Sequence, residues 1–210
     1  YQVAATGKSA FPMVASTGGK APLRAEDSPY EMGSDHDVYQ DASFGIPAIY
    51  LNDWPDRYIH TNLDTAENID ATKLQRVAFI GAASGYVLAR DGVPTGAPTV
   101  SAPGPMGEGD GLLVFRRVPG LRGPLAVFGY DYFDDHARKA GLARPKLLDF
   151  ESPRAAGGYY AFEARNFADG KRTTQQIANE LSTEFGAVPV AMVIEYLKAL
   201  QAIKVLERVR

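Results

Sequence analysis

The chain has 210 residues, 45% of them hydrophobic and 22% charged, with a formal net charge of -3 and no cysteine. Because the chain has no excess of positive charge, we expect neither nucleic acids nor anionic membranes as partners. The absence of cysteine excludes disulfide bonds and thiolate metal sites. No stretch approaches the roughly 18 apolar residues of a membrane span, so we expect none.

The beginning of the chain, YQVAAT, lacks an initiator Met and is typical of a strand inside a domain, so we expect a truncated or processed chain. Residues 35–43 then favour a short helix. Ser34 or Asp35 is its expected N-cap, and Val38 and Phe44 are expected on its buried side.

The run GIPAIYLN, residues 45–52, is predicted to be a buried strand of a mixed or parallel sheet. A polar loop, residues 53–67, follows it. Asp70 then caps a predicted helix that extends to about Arg90. This helix should be largely buried, because apolar residues surround most of it: Leu74, Val77, Ala78, Ile80, Val87 and Leu88.

Proline, glycine, serine and threonine dominate the next segment, so residues 93–111 are predicted to be a linker. This places one domain at 1–92 and another at 112–210. The second domain opens with strand-like runs, LLVFRRV and LAVFGYDYF, although the latter could also start a helix through Lys139.

The last forty residues carry clearer local signals. Thr173 and Gln176 predict a capping box that follows an Asp-Gly turn, and Gly186 is expected to end that helix. Pro189 suits the first turn of a second helix, and residues 205–209 alternate like a strand. Helix, helix, strand is winged-helix order, so residues 158–210 are predicted to be winged-helix-like and α+β.

His60 is the best candidate among three histidines for a metal ligand. It lies in a polar loop after a predicted strand, where ligands of open α/β sheets collect. Neutral imidazole binds zinc and needs an acceptor on its other nitrogen, for which Asp64 or Asp56 is available. The spacing alone favours an ordinary surface histidine, because one histidine makes no metal site.

The sequence Gly-Ser-Asp-His, ending at His36, opens the first predicted helix, whose amides could hold a carboxylate. Simple capping by Ser34 and Asp35 is the alternative, and His36 could be a packed or solvated side chain. His136 lies among charges in YFDDHARK, which is expected to be an exposed helix, and is not assigned to the site.

Three motifs in order resemble the end of the catalytic domain of metallopeptidase family twenty-eight, which includes bacterial leucyl aminopeptidases and the related glutaminyl cyclases. They are Ser34-Asp35-His36, Gly45-Ile46-Pro47, and His60-Thr61 with Asp64-Thr65 and Ile69-Asp70. The resemblance implies a mixed α/β sheet with helices on both faces, which holds two zinc ions. It also implies an enzyme in which metal-activated water cleaves the peptide bond at an N-terminus.

The same resemblance implies roles for individual residues. His60 would be the last zinc ligand in chain order, with Asp64 beside it. Asp35, together with His36, would join the hydrogen-bond network around the general base, and Tyr30 is the candidate for contacting the substrate carbonyl. The loop residues expected near the substrate are Trp54, Asp56 and Tyr58.

The chain departs from the family because the earlier zinc ligands and the general base belong to an N-terminal half that cannot be located here. This chain alone is therefore expected to lack tight binding of two zinc ions and peptidase activity, and the missing half is its expected partner. A homodimer is left open, and the family favours a periplasmic or secreted location. The tail, ADGKRTTQQIANEL onward, separately resembles PqqD-like winged-helix domains, which often bind peptides.

Two alternatives to an aminopeptidase remain. One is cyclisation of N-terminal glutamine on the same fold with a single zinc ion. The other is a noncatalytic module whose tail binds a peptide or a partner protein.

Overall fold

A computed structural model describes residues 28–46, 48–52, 55–92, 107–127 and 129–209. Contacts divide the chain into two compact units. The first unit joins Tyr1–Asp27 to Ile49–Thr95, and the second unit joins Ser28–Ala48 to Gly96–Arg210. The predicted domains of residues 1–92 and 112–210 stay predictions.

Helices and strands are both present in the described residues. The α-helices are α1 His36–Gln40, α2 Ala71–Asp91, α3 Tyr132–Lys139, α4 Gly157–Asn166, α5 Thr174–Phe185 and α6 Val190–Ala202. The strands are β1 Val114–Arg117, β2 Ala126–Val127, β3 Tyr130–Asp131, β4 Asp169–Thr173 and β5 Leu206–Arg208. Short 3-10 helices cover Ala66–Asn68, Gly109–Leu112 and Lys146–Asp149. The chain is thus mixed α/β with small sheets.

Helix α2 belongs to the first unit and begins as predicted. The Asp70 carboxylate accepts the backbone N–H of Thr72 at 2.8 Å and that of Lys73 at 3.2 Å. Its predicted burial is wrong, because Arg76 is its only buried residue and Leu74 is 58% exposed. The physical reason is that the described part of the first unit contains no other α-helix or strand to cover the apolar face.

The predicted strand at residues 45–52 is also not formed in its described positions, 45–46 and 48–52. Ile49 is 64% exposed and Tyr50 is 41% exposed, so the segment is not buried either. A strand gains its ladder hydrogen bonds from a neighbour, and no described strand pairs with this segment.

Helix α1 lies within the predicted range and starts after Asp35. The expected buried side is wrong, because Val38 is 39% exposed and Phe44 is 38% exposed. His36 and Asp37 are buried instead.

The sheet of the second unit has the order β4-β1-β5, with β1 antiparallel to both neighbours. Val114 pairs with Thr173 on one side, and Phe115 pairs with Arg208 on the other. Strands β2 and β3 form a separate antiparallel pair that leads directly into α3. The segment LAVFGYDYF therefore contains both of the structures predicted for it, strands and the start of a helix.

Helices α4, α5 and α6 supply most of the core of the second unit. The fully buried large side chains include Phe115, Leu147, Tyr160, Ile177, Leu181, Phe185, Val193, Leu197, Leu200 and Val205. The buried Tyr160 hydroxyl lies 2.9 Å from the carbonyl oxygens of Phe185 and Gly186, so its hydrogen-bonding capacity is satisfied.

The capping box at the start of α5 is confirmed. The Thr173 hydroxyl accepts the Gln176 N–H at 3.2 Å, and the Gln176 side chain accepts the Thr173 N–H at 2.9 Å. The helix ends before Gly186, whose φ of 102° is accessible to glycine at little cost. Pro189 precedes α6, and β5 follows it. Strand β5 pairs with β1, and the winged-helix assignment stays a prediction.

Most of the predicted linker, residues 93–106, lies outside the described residues, but its end is folded. A Cβ added at Gly107 would lie 2.7 Å from the Cβ of Gln175 in α5, so only glycine fits there. The Asp110 carboxylate also lies 2.7 Å from the Lys198 ammonium of α6. Residues 107–111 thus pack within the second unit, against α5 and α6.

Hydropathy gives one further result for the described residues. None of their helices is by itself long and apolar enough to cross a membrane, although the pair α5 and α6, bent by 116°, meets the requirement together by length and composition. Both helices contribute to the core described above.

Candidate functional site

His60 lies in a tight turn of the first unit. Asp56 Oδ1 accepts the backbone N–H of Tyr58 at 2.8 Å and that of Ile59 at 3.2 Å, and Thr61 Oγ1 donates to the Tyr58 carbonyl at 2.6 Å. These bonds fold the backbone so that His60 has a φ of 61°, a left-handed conformation that non-glycine residues rarely adopt. The turn therefore presents an exposed imidazole in a fixed backbone setting.

The carboxylates predicted to orient the His60 ring have different surroundings. Asp56 uses one oxygen to hold the turn, and Asp64 is exposed, with its N–H donating to the Thr61 carbonyl at 3.2 Å. Among the described residues, neither carboxylate hydrogen-bonds to the ring. Tyr58 is half-buried, and the predicted substrate residue Trp54 lies outside the described residues.

The Ser-Asp-His motif belongs to the second unit. Asp35 occupies the N-cap position of α1 but is exposed, and its side chain makes no capping hydrogen bond. His36 is buried, with Nε2 2.6 Å from the Glu31 carbonyl oxygen and 3.3 Å from Asp37 Oδ1. Because a carbonyl oxygen can only accept, His36 Nε2 carries a proton.

Sequence reasoning missed Asp37, which is the buried carboxylate of this motif. Its Oδ1 accepts the Tyr30 hydroxyl at 2.8 Å, and its Oδ2 accepts the Gly33 N–H at 3.2 Å. The family motif points to Asp35, whereas Asp37, two residues later in the first turn of α1, is the carboxylate that is buried. The alternation of exposed Asp35 and buried Asp37 depends on packing that the sequence does not display.

Tyr30 is fixed by contacts on both its ring and its hydroxyl. The ring stacks on Phe162 of α4 with centroids 4.2 Å apart, and the edge of Tyr159 lies nearby at 6.2 Å. Burial, followed by the hydrogen bond to Asp37, raises the pKa of Tyr30 above its ordinary value, so the phenol stays protonated. The predicted contact with a substrate carbonyl would require Tyr30 to exchange its bond with Asp37.

Asp41, at the end of α1, is the centre of a buried ion cluster that sequence reasoning also missed. It is fully buried, with Oδ1 2.6 Å from Arg117 Nη1 of β1 and Oδ2 bonded to Arg165 Nη2 of α4. Ser43 donates to the same carboxylate through its N–H at 3.0 Å. Nothing local marks Asp41, because its partners lie far along the chain and only the fold brings them together.

The charge balance of this cluster is visible at Arg117. Burial and the neighbouring Arg165 charge lower the pKa of Arg117, and Asp41 opposes that shift. The remaining donors of Arg117 reach the carbonyl oxygens of Leu121 at 2.7 Å and Gly123 at 2.5 Å. One carboxylate between two guanidinium groups is therefore supported by further hydrogen bonds to the backbone.

A pair of acidic residues lies close to Tyr30. Burial and then the Glu184 charge raise the pKa of Glu163 to about 7. Burial also raises the pKa of Glu184, although the hydrogen bond from the Tyr30 backbone N–H opposes this. Glu163 is thus poised to take up a proton near neutral pH.

The donor set does not make a complete zinc site in the part of the chain that the structure describes. Nowhere in that part do three or more His, Cys, Asp or Glu side chains come together in a metal-binding group. His60 could supply one ligand, whereas structural and catalytic zinc sites use at least three protein ligands. His136 belongs to no such group either; its Nδ1 lies 2.8 Å from the Tyr132 carbonyl oxygen, and its ring stacks on Tyr132.

Comparison with known proteins bears on the segment that contains both α1 and His60. Residues 4–84 match the model of peptidase family M28. The match covers less than half of the chain and includes the motifs that run from Ser34 to Asp70. It leaves the C-terminal residues of the second unit unassigned. No curated protein matches the chain, and no solved structure matches it either.

Proposed function

We propose that this chain forms part of a zinc-dependent aminopeptidase, which hydrolyses the peptide bond after the N-terminal residue of a peptide. The match of residues 4–84 to peptidase family M28 carries this proposal, because its members are peptidases. The match supports the reaction class, and the zinc and the preference for N-termini come from the motif resemblance.

His60 is the residue of this chain that we propose as a zinc ligand. Its exposed imidazole is free to meet ligands from another segment, and its left-handed backbone is a conformation that tends to persist at functional sites. The other ligands would come from outside the described residues. Peptide substrates and the complementary half of the catalytic domain are accordingly the proposed partners.

An activity assay on the full-length parent protein tests this proposal. We expect hydrolysis of an aminoacyl p-nitroanilide, and we expect His60→Ala to lower kcat/KM by at least about a hundredfold, as loss of a zinc ligand disables a metal site. His136→Ala is the matched control, since this histidine is engaged with Tyr132 outside the matched segment. Equal activity of the His60→Ala variant and the wild type would reject the role of His60.

The same assay separates the related reaction. A peptide with N-terminal glutamine would be cyclised, with release of ammonia, by a glutaminyl-cyclase-like enzyme, and would lose its first residue to an aminopeptidase. Cyclisation without hydrolysis would replace the aminopeptidase proposal.

A second candidate is a noncatalytic binding role for the C-terminal residues. One observation favours it: these residues hold Ser28–Ala48 through aromatic, ionic and backbone contacts at once. Binding of labelled peptides by a parent protein that hydrolyses none of them would favour this role.

A further inference from the structure

The match to the peptidase family is divided between the two units. Residues 49–84 of the match lie in the first unit, whereas Ser28–Ala48 lies in the second unit with Gly96–Arg210. We call residues 107–209 the C-terminal module and Ser28–Ala48 the docked segment. The contacts between them resemble those between a receptor domain and a bound peptide.

The first anchor of the docked segment is aromatic. Tyr30 stacks on Phe162 with an angle of 8° between the rings, and the edge of Tyr159 lies 6.2 Å from its ring centroid. The Met32 sulfur lies against α4 at Gly158, where a Cβ added to the glycine would be 3.7 Å from it. An aromatic side chain in such a setting combines large contact area with little loss of conformational entropy.

The second anchor is ionic. Asp41 is fully buried between Arg165, whose side chain is 2% exposed, and Arg117, whose side chain is 13% exposed. Both arginines belong to the C-terminal module, and the carboxylate belongs to the docked segment. Without Asp41, two guanidinium groups would face each other away from water, which is costly.

Between and beyond these anchors, the module hydrogen-bonds to the backbone and small side chains of the segment. Asn166 accepts the Ala42 N–H at 3.0 Å, and Arg122 donates to the Ser43 carbonyl at 3.0 Å. The Ser43 hydroxyl accepts the Gly123 N–H at 2.9 Å. Side-chain anchors combined with backbone hydrogen bonds are how domains recognise peptide segments.

We propose that the C-terminal module is a peptide-binding module with its ligand in the same chain: a surface of Phe162, Arg117 and Arg165 recognises Tyr30 and Asp41 of the docked segment. The Ser34–His36 motif lies between the two anchors, so docking fixes its conformation. The module thereby controls whether this motif is held or released. The inference does not depend on peptidase activity.

Hydrogen exchange of the whole chain tests the docking. In Asp41→Asn, which keeps the shape but removes the charge, we expect the amides of residues 30–44 to exchange at least about a hundredfold faster, following the usual cost of breaking a buried ion pair. The amides of Ile177 and Leu197 should keep their protection. Glu207→Gln is the control, because its ion pair with Arg116 is exposed and should change nothing.

A synthetic peptide with the sequence of Ser28–Ala48 provides the second arm. It should bind the Asp41→Asn chain, whose receptor surface is intact and vacated, and should not bind the wild type, whose surface is occupied. The same peptide carrying Asp41→Asn should bind neither. Wild-type exchange rates in the variant, or equal binding of both peptides, would overturn the proposal.

Should Asp41→Asn destabilise the whole second unit, Tyr30→Ala gives an independent test that leaves the ion cluster in place. Faster exchange confined to residues 30–44 supports docking. Uniform loss of protection across residues 30–44, Ile177 and Leu197 in this variant would show one indivisible core and overturn the proposal.

Discussion

Glu163 and Asp41 show how two acidic residues of one unit take opposite environments. Asp41 faces two guanidinium groups. Burial raises the pKa of Glu163, and the negative charges of Glu184 and Asp41 raise it further. The positive charge of Arg165 and a hydrogen bond with Asn166 oppose this rise. The native unit therefore holds Asp41 in an ion cluster and favours the protonated form of Glu163.

The raised pKa of Glu163 predicts a pH dependence of stability. Since the folded-state pKa of about 7 exceeds the ordinary value of 4.5, the contribution is complete below pH 4.5 and is lost as the pH rises through about 7. Urea unfolding across this window should show a free energy of unfolding that falls more steeply in the wild type than in Glu163→Gln. Glu195→Gln, at an exposed site, should retain the wild-type slope. Parallel curves for Glu163→Gln and the wild type would disprove the assignment.

At the scale of elements, the start of α4 requires glycine at position 157, because a side chain there would meet the backbone. A Cβ at Gly157 would lie 2.1 Å from the Leu147 carbonyl oxygen and 2.7 Å from that of Leu148. Gly157→Ala must therefore displace backbone, and we expect a loss of about 1–3 kcal/mol.

The neighbouring glycine of the same helix is the matched control for this prediction. At Gly158 the nearest atom to an added Cβ is the flexible Met32 sulfur at 3.7 Å, so Gly158→Ala should be neutral or stabilise by up to about 1 kcal/mol. Chemical denaturation measures both variants. Equal effects of the two substitutions would contradict the close approach at Gly157.

The capping box predicts a second effect on an element. Thr173→Ala removes the acceptor for the Gln176 N–H and should lower the free energy of unfolding by about 1 kcal/mol. Thr183→Ala, in the last turn of the same helix, removes only a bond to the Asn179 carbonyl on an exposed face and should cost little. Thermal unfolding compares them, and a larger loss for Thr183→Ala would be inconsistent with the cap.

Elements could be predicted where their signals are local. Asp70 and the Thr173–Gln176 pair mark helix starts with side chains that reach only two or three residues along the chain. Burial of α2 and formation of a strand at residues 45–52 could not be predicted correctly, because each depends on partners elsewhere in the fold. In the second unit the helices and the sheet cover one another, so the locally predicted helices α5 and α6 also contribute to a buried core.

At the scale of the whole molecule, the sequence likewise predicts some residues of the candidate site and misses others. The motifs identify His60 and the Ser-Asp-His turn from sequence, and the family match covers both. The Asp41 cluster could not be predicted, since it joins α1 to β1 and α4 across long stretches of chain. Local patterns thus reveal family relationships, whereas long-range ion pairs emerge only from the fold.

The metal content of the complete zinc enzyme proposed above, measured after exhaustive dialysis, tests the central claim most directly. The account predicts that the wild type and His136→Ala retain the same amount of zinc and that His60→Ala retains clearly less, because one imidazole ligand is lost. Zinc retained by His60→Ala at the wild-type level would contradict it.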